Sequence, residues 1–420
     1  MDGLRPFPGG HPAAAVRRHP RRRLTLAERK ARLEALLQGF QDVWRPQPFR
    51  VETPAWCDAH PALRDELLAL DDAAVDRLSA DNHALIALIG RHLPALAGLA
   101  ELIELPPPPT PAPPGHADRL DTAVPGRKLA QIDAYAAGLG PPRAPVLEWC
   151  AGKGHLGRLL AGRWHWPVAS LEIDPALCDA GEDLARRAHV DCMQHFIRAD
   201  ALAPGSARHL AGRHAVALHA CGDLHTRLVA DAVAAGCPAI DVAPCCYYRT
   251  AGERYRPFNP TGLELGRDDL RLAVTETATA SAAQRRQSRR ALAWKLAWVE
   301  LRRDRHGDPG YVPFPPVPER WLRGGFESFV AHMLERKAGR APAPDAAGID
   351  LAAYEARGWA RAARMLRLQL ARLAFRRPLE VWLLADMAVH LEGHGYAVTL
   401  GPFCPASLTP RNLLLSARKH

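Results

Sequence analysis

Two short segments hold most of the side chains able to do chemistry. His219-Ala-Cys-Gly-Asp-Leu-His-Thr226 brings together an imidazole, a thiol and a carboxylate, and Pro244-Cys-Cys-Tyr-Tyr248 adds two thiols and two phenols. His219 and Asp223 are of the types that take a proton from a hydroxyl or nitrogen acceptor. Cys221, Cys245 and Cys246 become nucleophiles once ionised, and they are also soft metal ligands. A third segment, Val146-Leu-Glu-Trp-Cys-Ala-Gly-Lys-Gly-His-Leu-Gly157, runs from a short apolar stretch through an acid into a glycine-rich turn that opens a helix. Gly152 and Gly154 let the backbone take positive φ and approach a ligand, and the first N–H groups of the helix offer hydrogen bonds and a positive dipole end. That is the make-up of a nucleotide-type cofactor loop.

The elements that must position these groups read as strands separated by helices. Ala169-Ser-Leu-Glu-Ile-Asp-Pro175 ends a second strand in Glu172, at the distance from the glycine loop where such folds place a carboxylate on a ribose diol. Asp174, just before Pro175, reads as a helix N-cap. Phe196-Ile-Arg-Ala-Asp200, Ala215-Val-Ala-Leu-His-Ala-Cys-Gly222 and Ala239-Ile-Asp-Val-Ala-Pro-Cys-Cys-Tyr-Tyr248 read as three further strand ends, with helical segments filling the gaps. Right-handed crossovers would bring all the carboxyl ends to one edge of a parallel sheet.

This succession resembles the class I S-adenosylmethionine-dependent methyltransferases. The resemblance implies an α/β, Rossmann-like seven-stranded sheet and S-adenosylmethionine as cofactor. Gly152 and Gly154 would face the methionine part, Glu172 would hold the ribose, and Asp200 would lie by the adenine. The implied cofactor set extends to Glu148, Cys150, Ala151, Ile173, Ala201 and His219. Cys150 stands where the family usually has its first glycine. The Asn/Asp-Pro-Pro-aromatic tetrapeptide of many amino-methylating relatives is absent. Instead, the His-x-Cys-Gly and Cys-Cys-aromatic pair is similar to a branch that includes the tRNA 2′-O-methyltransferase acting on the acceptor stem. The resemblance is close from Arg127 to Thr250 and less specific from Leu379 to Lys419.

In this fold the fourth and fifth strands are neighbours, so Cys221 would face Cys245 and Cys246, with Tyr247 beside them. Three readings of that cluster stand. The thiols are small buried groups, the site works by positioning the acceptor, and His219 or Asp223 takes the proton. Alternatively, a thiolate is a covalent nucleophile, as in RNA 5-methylcytosine enzymes, although only Pro244-Cys245 echoes their flanking sequences. Or His219, Cys221, Cys245 and Cys246 hold zinc, a reading that adjacent cysteines and the lack of any Cys-x-x-Cys argue against.

The nine cysteines of this 420-residue chain are odd in number and do not form a disulfide framework, which points to a reducing, cytoplasmic setting. No apolar run is long enough to span a membrane, and the opening Met1-Asp-Gly-Leu-Arg has no apolar signal core. A net charge of +10 suits an anionic partner, and RNA is the expected one. Arg17–Arg23 is either an arm for phosphates or an unstructured basic terminus. The arginines of Gln284–Arg290 and Leu301–His306 flank Trp294 and Trp298 on one helix, which reads as an RNA grip or, more plainly, as core tryptophans beneath a solvated face.

The chain divides into a basic arm (1–25), a helical domain (26–105), a proline-rich linker (106–120) and a cofactor-binding core (121–250). A helical insertion for substrate recognition (251–376) and a final helix with strands six and seven (377–420) complete it. Two other readings remain beside RNA methylation: the same chemistry on a protein side chain or small molecule, and a binding module that has lost catalysis. A glycine loop blocked by Cys150 or Trp149 would favour the last.

Overall fold

The computed structural model describes residues 24–107, 120, 124–275, 281–307, 314, 317–338 and 348–420. The Arg17–Arg23 cluster and most of the Pro106–Gly115 connector lie outside the described residues.

Seven strands form one sheet in the order β3-β2-β1-β4-β5-β7-β6. They are β1 (Val146–Trp149), β2 (Val168–Glu172), β3 (Gln194–Arg198), β4 (His214–Cys221), β5 (Ala239–Cys245), β6 (Tyr396–Pro402) and β7 (Leu413–Lys419). The first five are parallel, while β7 runs antiparallel to both β5 and β6. This is the expected Rossmann-like sheet, with its order reversing at β1, so ligands belong at the carboxyl ends beside that point. Every residue of β1, β2 and β5 is buried, as expected of strands covered on both faces.

Side-chain alternation sorts the two faces. Val146, Val168, Val216 and Ala243 point toward the helices Gly126–Gly138, His155–Trp164 and Pro175–Arg187. Leu147, Ala169, Ala217 and Val242 point toward Asp223–Ala234 and Arg376–Gly393. Leu33, Leu37, Leu63 and Leu85, from the helices before residue 105, belong to the same apolar core as that second face. Deep in the sheet, fully buried Asp241 on β5 is paired with His214 on β4 and Arg418 on β7, so one carboxylate ties three strands together.

The region before β6 is helical, comprising Arg267–Leu272, Ala282–His306, Phe326–Ala338 and Leu351–Leu373. Ala282–His306 packs along Leu351–Leu373, and a Cβ on Gly358 would lie 2.4 Å from the Ala293 carbonyl oxygen. Trp294 and Trp298 are 3% and 1% exposed, which settles them as core. Arg289 reaches Asp72 and Asp76, and Arg285 lies 3.8 Å from Asp76, so these two arginines face acids of the Asp72–Ala80 helix. The Leu379–His394 helix read from the sequence is Arg376–Gly393, and its Asp386 accepts from the Phe258 and Asn259 backbone N–H groups, fixing the loop after β5. Among the described residues, no helix is long and apolar enough to cross a membrane.

Candidate active site

Of the five non-glycine residues with left-handed backbone among those described, three stand at the carboxyl edge of the sheet. They are Cys150 after β1 (φ 57°), His219 near the end of β4 (φ 64°) and Cys246 just after β5 (φ 46°). Side chains avoid this region at a cost of order 1–3 kcal/mol, and residues held there cluster at functional sites.

The glycine loop sits on a buried polar base. Gly152 and Gly154 have φ of 58° and 61°, and Gly154 precedes the His155–Trp164 helix. Gln194 Nε2 donates to the Gly154 carbonyl and to Ser170 Oγ, while Ser170 Oγ and the Gly157 N–H donate to Glu148 Oε2. A Cβ on Gly154 would lie 2.4 Å from Gln194 Nε2 and 2.5 Å from the Phe196 ring, whereas a Cβ on Gly152 would meet nothing within 4 Å. The loop is therefore packed beneath and open above. Trp149 is buried, its indole N–H donating to the Leu224 carbonyl, and so it does not cover the loop. Cys150 adopts a left-handed backbone, the region that favours glycine.

Glu172 lies directly behind the loop. Its Oε2 accepts from the Gly152 N–H at 2.8 Å, and its Oε1 accepts from the N–H groups of Ile173 and Asp174. Asp174 caps the next helix through Ala176 and Leu177, as its place before Pro175 suggested. Among the described residues, Ile173 and Leu202 are two of the few large apolar side chains left exposed, at 61% and 44%, and they follow β2 and β3. Asp200 accepts from the Leu202 N–H at 2.8 Å, and Ala201 between them is buried. Open backbone above Gly152, a carboxylate behind it and two exposed apolar side chains fit S-adenosylmethionine as the cofactor.

Glu148 is 4% exposed, and burial pushes its carboxyl up to about 7, opposed by its bonds to Ser170 and Gly157. In the unfolded chain the proton leaves near 4.5, so the folded form holds it over a window in which the unfolded form has lost it. The associated stability is full below about 4.5 and declines until about 7, by roughly 3 kcal/mol. Glu148→Gln keeps the acceptor oxygen and is expected to remove that decline. Denaturant unfolding from pH 4 to 9 checks it, and identical slopes in both proteins would assign the decline to another group.

The two sequence motifs form one unit on neighbouring strand ends. A register shift between Leu218 and Cys221 brings Cys221 opposite Cys245. Their sulfurs are 3.0 Å apart, and both thiols donate to the His219 carbonyl oxygen. Contact with Cys245 lowers the Cys221 thiol, and the same shared proton pushes Cys245 up. Burial raises Cys246 as well. Gly222, with φ 54° and ψ −125°, lies so close to the post-β5 loop that a Cβ would stand 1.8 Å from the Arg249 carbonyl oxygen. The Asp223 N–H donates to that same oxygen, and its carboxylate accepts from the Ala251 N–H at 2.6 Å. Asp223 is thus turned toward the loop, while the Tyr247 ring is 1% exposed and packs edge-on against His225.

His219 Nε2 lies 3.2 Å from Gln131 Oε1, which assigns its N–H to that nitrogen. Burial, followed by the nearby cations Arg411 and Lys128, lowers His219 to about 4, so it is neutral at physiological pH. Gln131 and Lys128 come from the Gly126–Gly138 helix and Arg411 from the segment before β7, and none was singled out in the sequence. Beyond Asp223, a cavity of about 580 Å³ is bounded by Leu202, Tyr247 and Phe258, with Arg227, Arg254 and Arg256 on its wall.

Residues 128–253 match a family model described as a methyltransferase domain. This region is a methyltransferase domain. Its bounds run from the Gly126–Gly138 helix to the loop after β5, so the glycine loop, Glu172 and the thiol cluster all fall within it. Solved structures similar to the chain include the glycopeptide N-methyltransferase MtfA complexed with (S)-adenosyl-L-homocysteine, at 20% identity, 37% coverage of this chain, 73% of that one and a TM-score of 0.23. MtfA complexed with (S)-adenosyl-L-methionine is similar at 20% identity, 37% and 69% coverage and a TM-score of 0.24. No curated protein matches the chain.

Proposed function

We propose that this enzyme methylates RNA, with a tRNA as the first candidate and a 2′-oxygen or a base nitrogen as the acceptor. The observation that carries the reading is the arrangement of one sheet edge. An open glycine loop backed by Glu172 stands beside the ends of β4 and β5, where His219 and the thiols gather. Glu172 would hold the ribose diol, Asp200 would lie by the adenine, and Ile173 and Leu202 would cover the base, with Gly152 and Gly154 facing the methionine part. S-adenosylmethionine supplies a methyl group on a positively charged sulfur, so the chain's own task is to bring an acceptor lone pair into line with it.

The side chains present suit that task better than strong base catalysis. His219 is too weak a base to hold a proton at neutral pH, and it acts through its hydrogen bond and shape. The Asp223 carboxylate is engaged by Ala251. RNA is supported by the charge of +10 and by Arg256 on the wall of the cavity next to Leu202, where Arg227 and Arg254 are paired with Asp231 and Glu264. The Ala282–His306 helix lends little to it, because Arg285 and Arg289 face Asp72 and Asp76.

The test is incubation of the purified protein with tritium-labelled S-adenosylmethionine and total RNA from a strain lacking its gene, beside a matched protein extract. Label is expected in RNA, where nucleoside mapping would give the acceptor. Label confined to protein would replace RNA by a side-chain acceptor. Measurable cofactor binding with label in neither would move the reading to a small-molecule acceptor or a non-catalytic module.

A further inference from the structure

Cys221, Cys245 and Cys246 present three sulfur atoms that all lie within 4.8 Å of one another. Consecutive residues of a strand point to opposite faces, so neighbouring cysteines would normally be unable to share a ligand. Here β5 ends at Cys245, and Cys246 takes a left-handed backbone with φ 46°, which swings its thiol back to its neighbour's side. The register shift in β4 then delivers Cys221 to the same point. Two separate backbone departures therefore converge on one cluster of soft donors.

We propose that these three thiols bind one zinc ion. Tetrahedral zinc with sulfur at about 2.3 Å requires sulfurs about 3.8 Å apart. The observed arrangement, with one pair at 3.0 Å and the whole set within 4.8 Å, spans that separation. On binding, each thiol gives its proton to solvent and becomes a thiolate ligand, releasing its hydrogen bond. No other His, Cys, Asp or Glu among the described residues joins the cluster, which leaves a fourth position open to a donor from outside those residues. Three protein ligands with one open position are the pattern of catalytic rather than structural zinc. Resting on the methyltransferase reading, the outside donor is the acceptor atom, whose proton the ion makes easier to lose.

The experiment uses the full chain, purified under reducing conditions, and needs neither RNA nor S-adenosylmethionine, so a failed methylation assay leaves it intact. Elemental analysis is expected to show one zinc per chain after equilibration with zinc chloride and desalting. Cobalt(II) titration is expected to give the intense near-ultraviolet sulfur-to-cobalt band and the visible bands of a tetrahedral thiolate site. Cys221→Ser, Cys245→Ser and Cys246→Ser should each weaken zinc at least 10-fold, whereas Cys192→Ser, at an exposed position, should bind as the wild type does. A wild-type chain that takes up no stoichiometric zinc and gives no cobalt–thiolate band would overturn the proposal. So would a Cys221–Cys245 disulfide that persists in reductant, and both readouts stand even if a variant fails to fold.

Discussion

Gly222→Ala is expected to destabilise the protein by about 4 kcal/mol, because steric overlap and backbone strain each cost roughly 1–3 kcal/mol. The new Cβ would stand 1.8 Å from the Arg249 carbonyl oxygen, a backbone atom with no flexible end to move aside. The φ and ψ of Gly222, 54° and −125°, are in addition open almost only to glycine. A denaturant midpoint series would measure the loss. Gly212→Ala is the control: it has φ 66° but nothing within 4 Å of the added atom, so about 1 kcal/mol of backbone strain is all it should cost. Equal losses in the two variants would show that the contact between the strand ends contributes nothing. The larger loss should be accompanied by heightened reactivity of Cys221 and Cys245 toward thiol reagents, since Gly222 and Arg249 hold the two motifs together.

Glu172→Ala is expected to weaken S-adenosylmethionine binding by 10- to 100-fold, or about 1.5–3 kcal/mol, the range of a hydrogen bond to a charged group. Two losses combine in that figure. The carboxylate proposed for the ribose diol disappears, and the Gly152, Ile173 and Asp174 N–H groups lose their common acceptor. Glu172→Gln separates these effects, because its single carbonyl oxygen retains part of the loop contact without the charge. Calorimetric titration of the three proteins gives the answer, and unchanged affinity in the alanine variant would remove Glu172 from the cofactor site.

The glycine loop and the successive strand ends were legible because each is a local signal. Glu148 ends an apolar run, Gly152 and Gly154 follow within a few residues, and Asp174 caps its own helix through Ala176. Trp294 and Trp298 were harder to place, since helical spacing puts them near arginines whether the arginines face solvent, phosphate or another helix. Packing decided for the core, and Asp72 and Asp76 took up Arg289. Gln131, Lys128 and Arg411 were out of reach. Gln131 bonds to His219 and the charges of Lys128 and Arg411 act on it from places far away in the sequence, and nothing in their own flanking residues marks them.

The sequence by itself determined the class of sheet, the strand ends that carry the glycine loop and the membership of the two thiol motifs, because strand periodicity, turn glycines and helix caps act over a few residues. Tertiary structure alone decided how those motifs meet. The left-handed turn at Cys246, the register shift before Cys221 and the closeness of Gly222 to Arg249 arise from pairing of β4 with β5 and from the loop packed across them. A contact between residues more than twenty positions apart leaves no periodic trace in either segment. Only the folded chain shows why a glycine must follow Cys221, and why two adjacent cysteines can face one point.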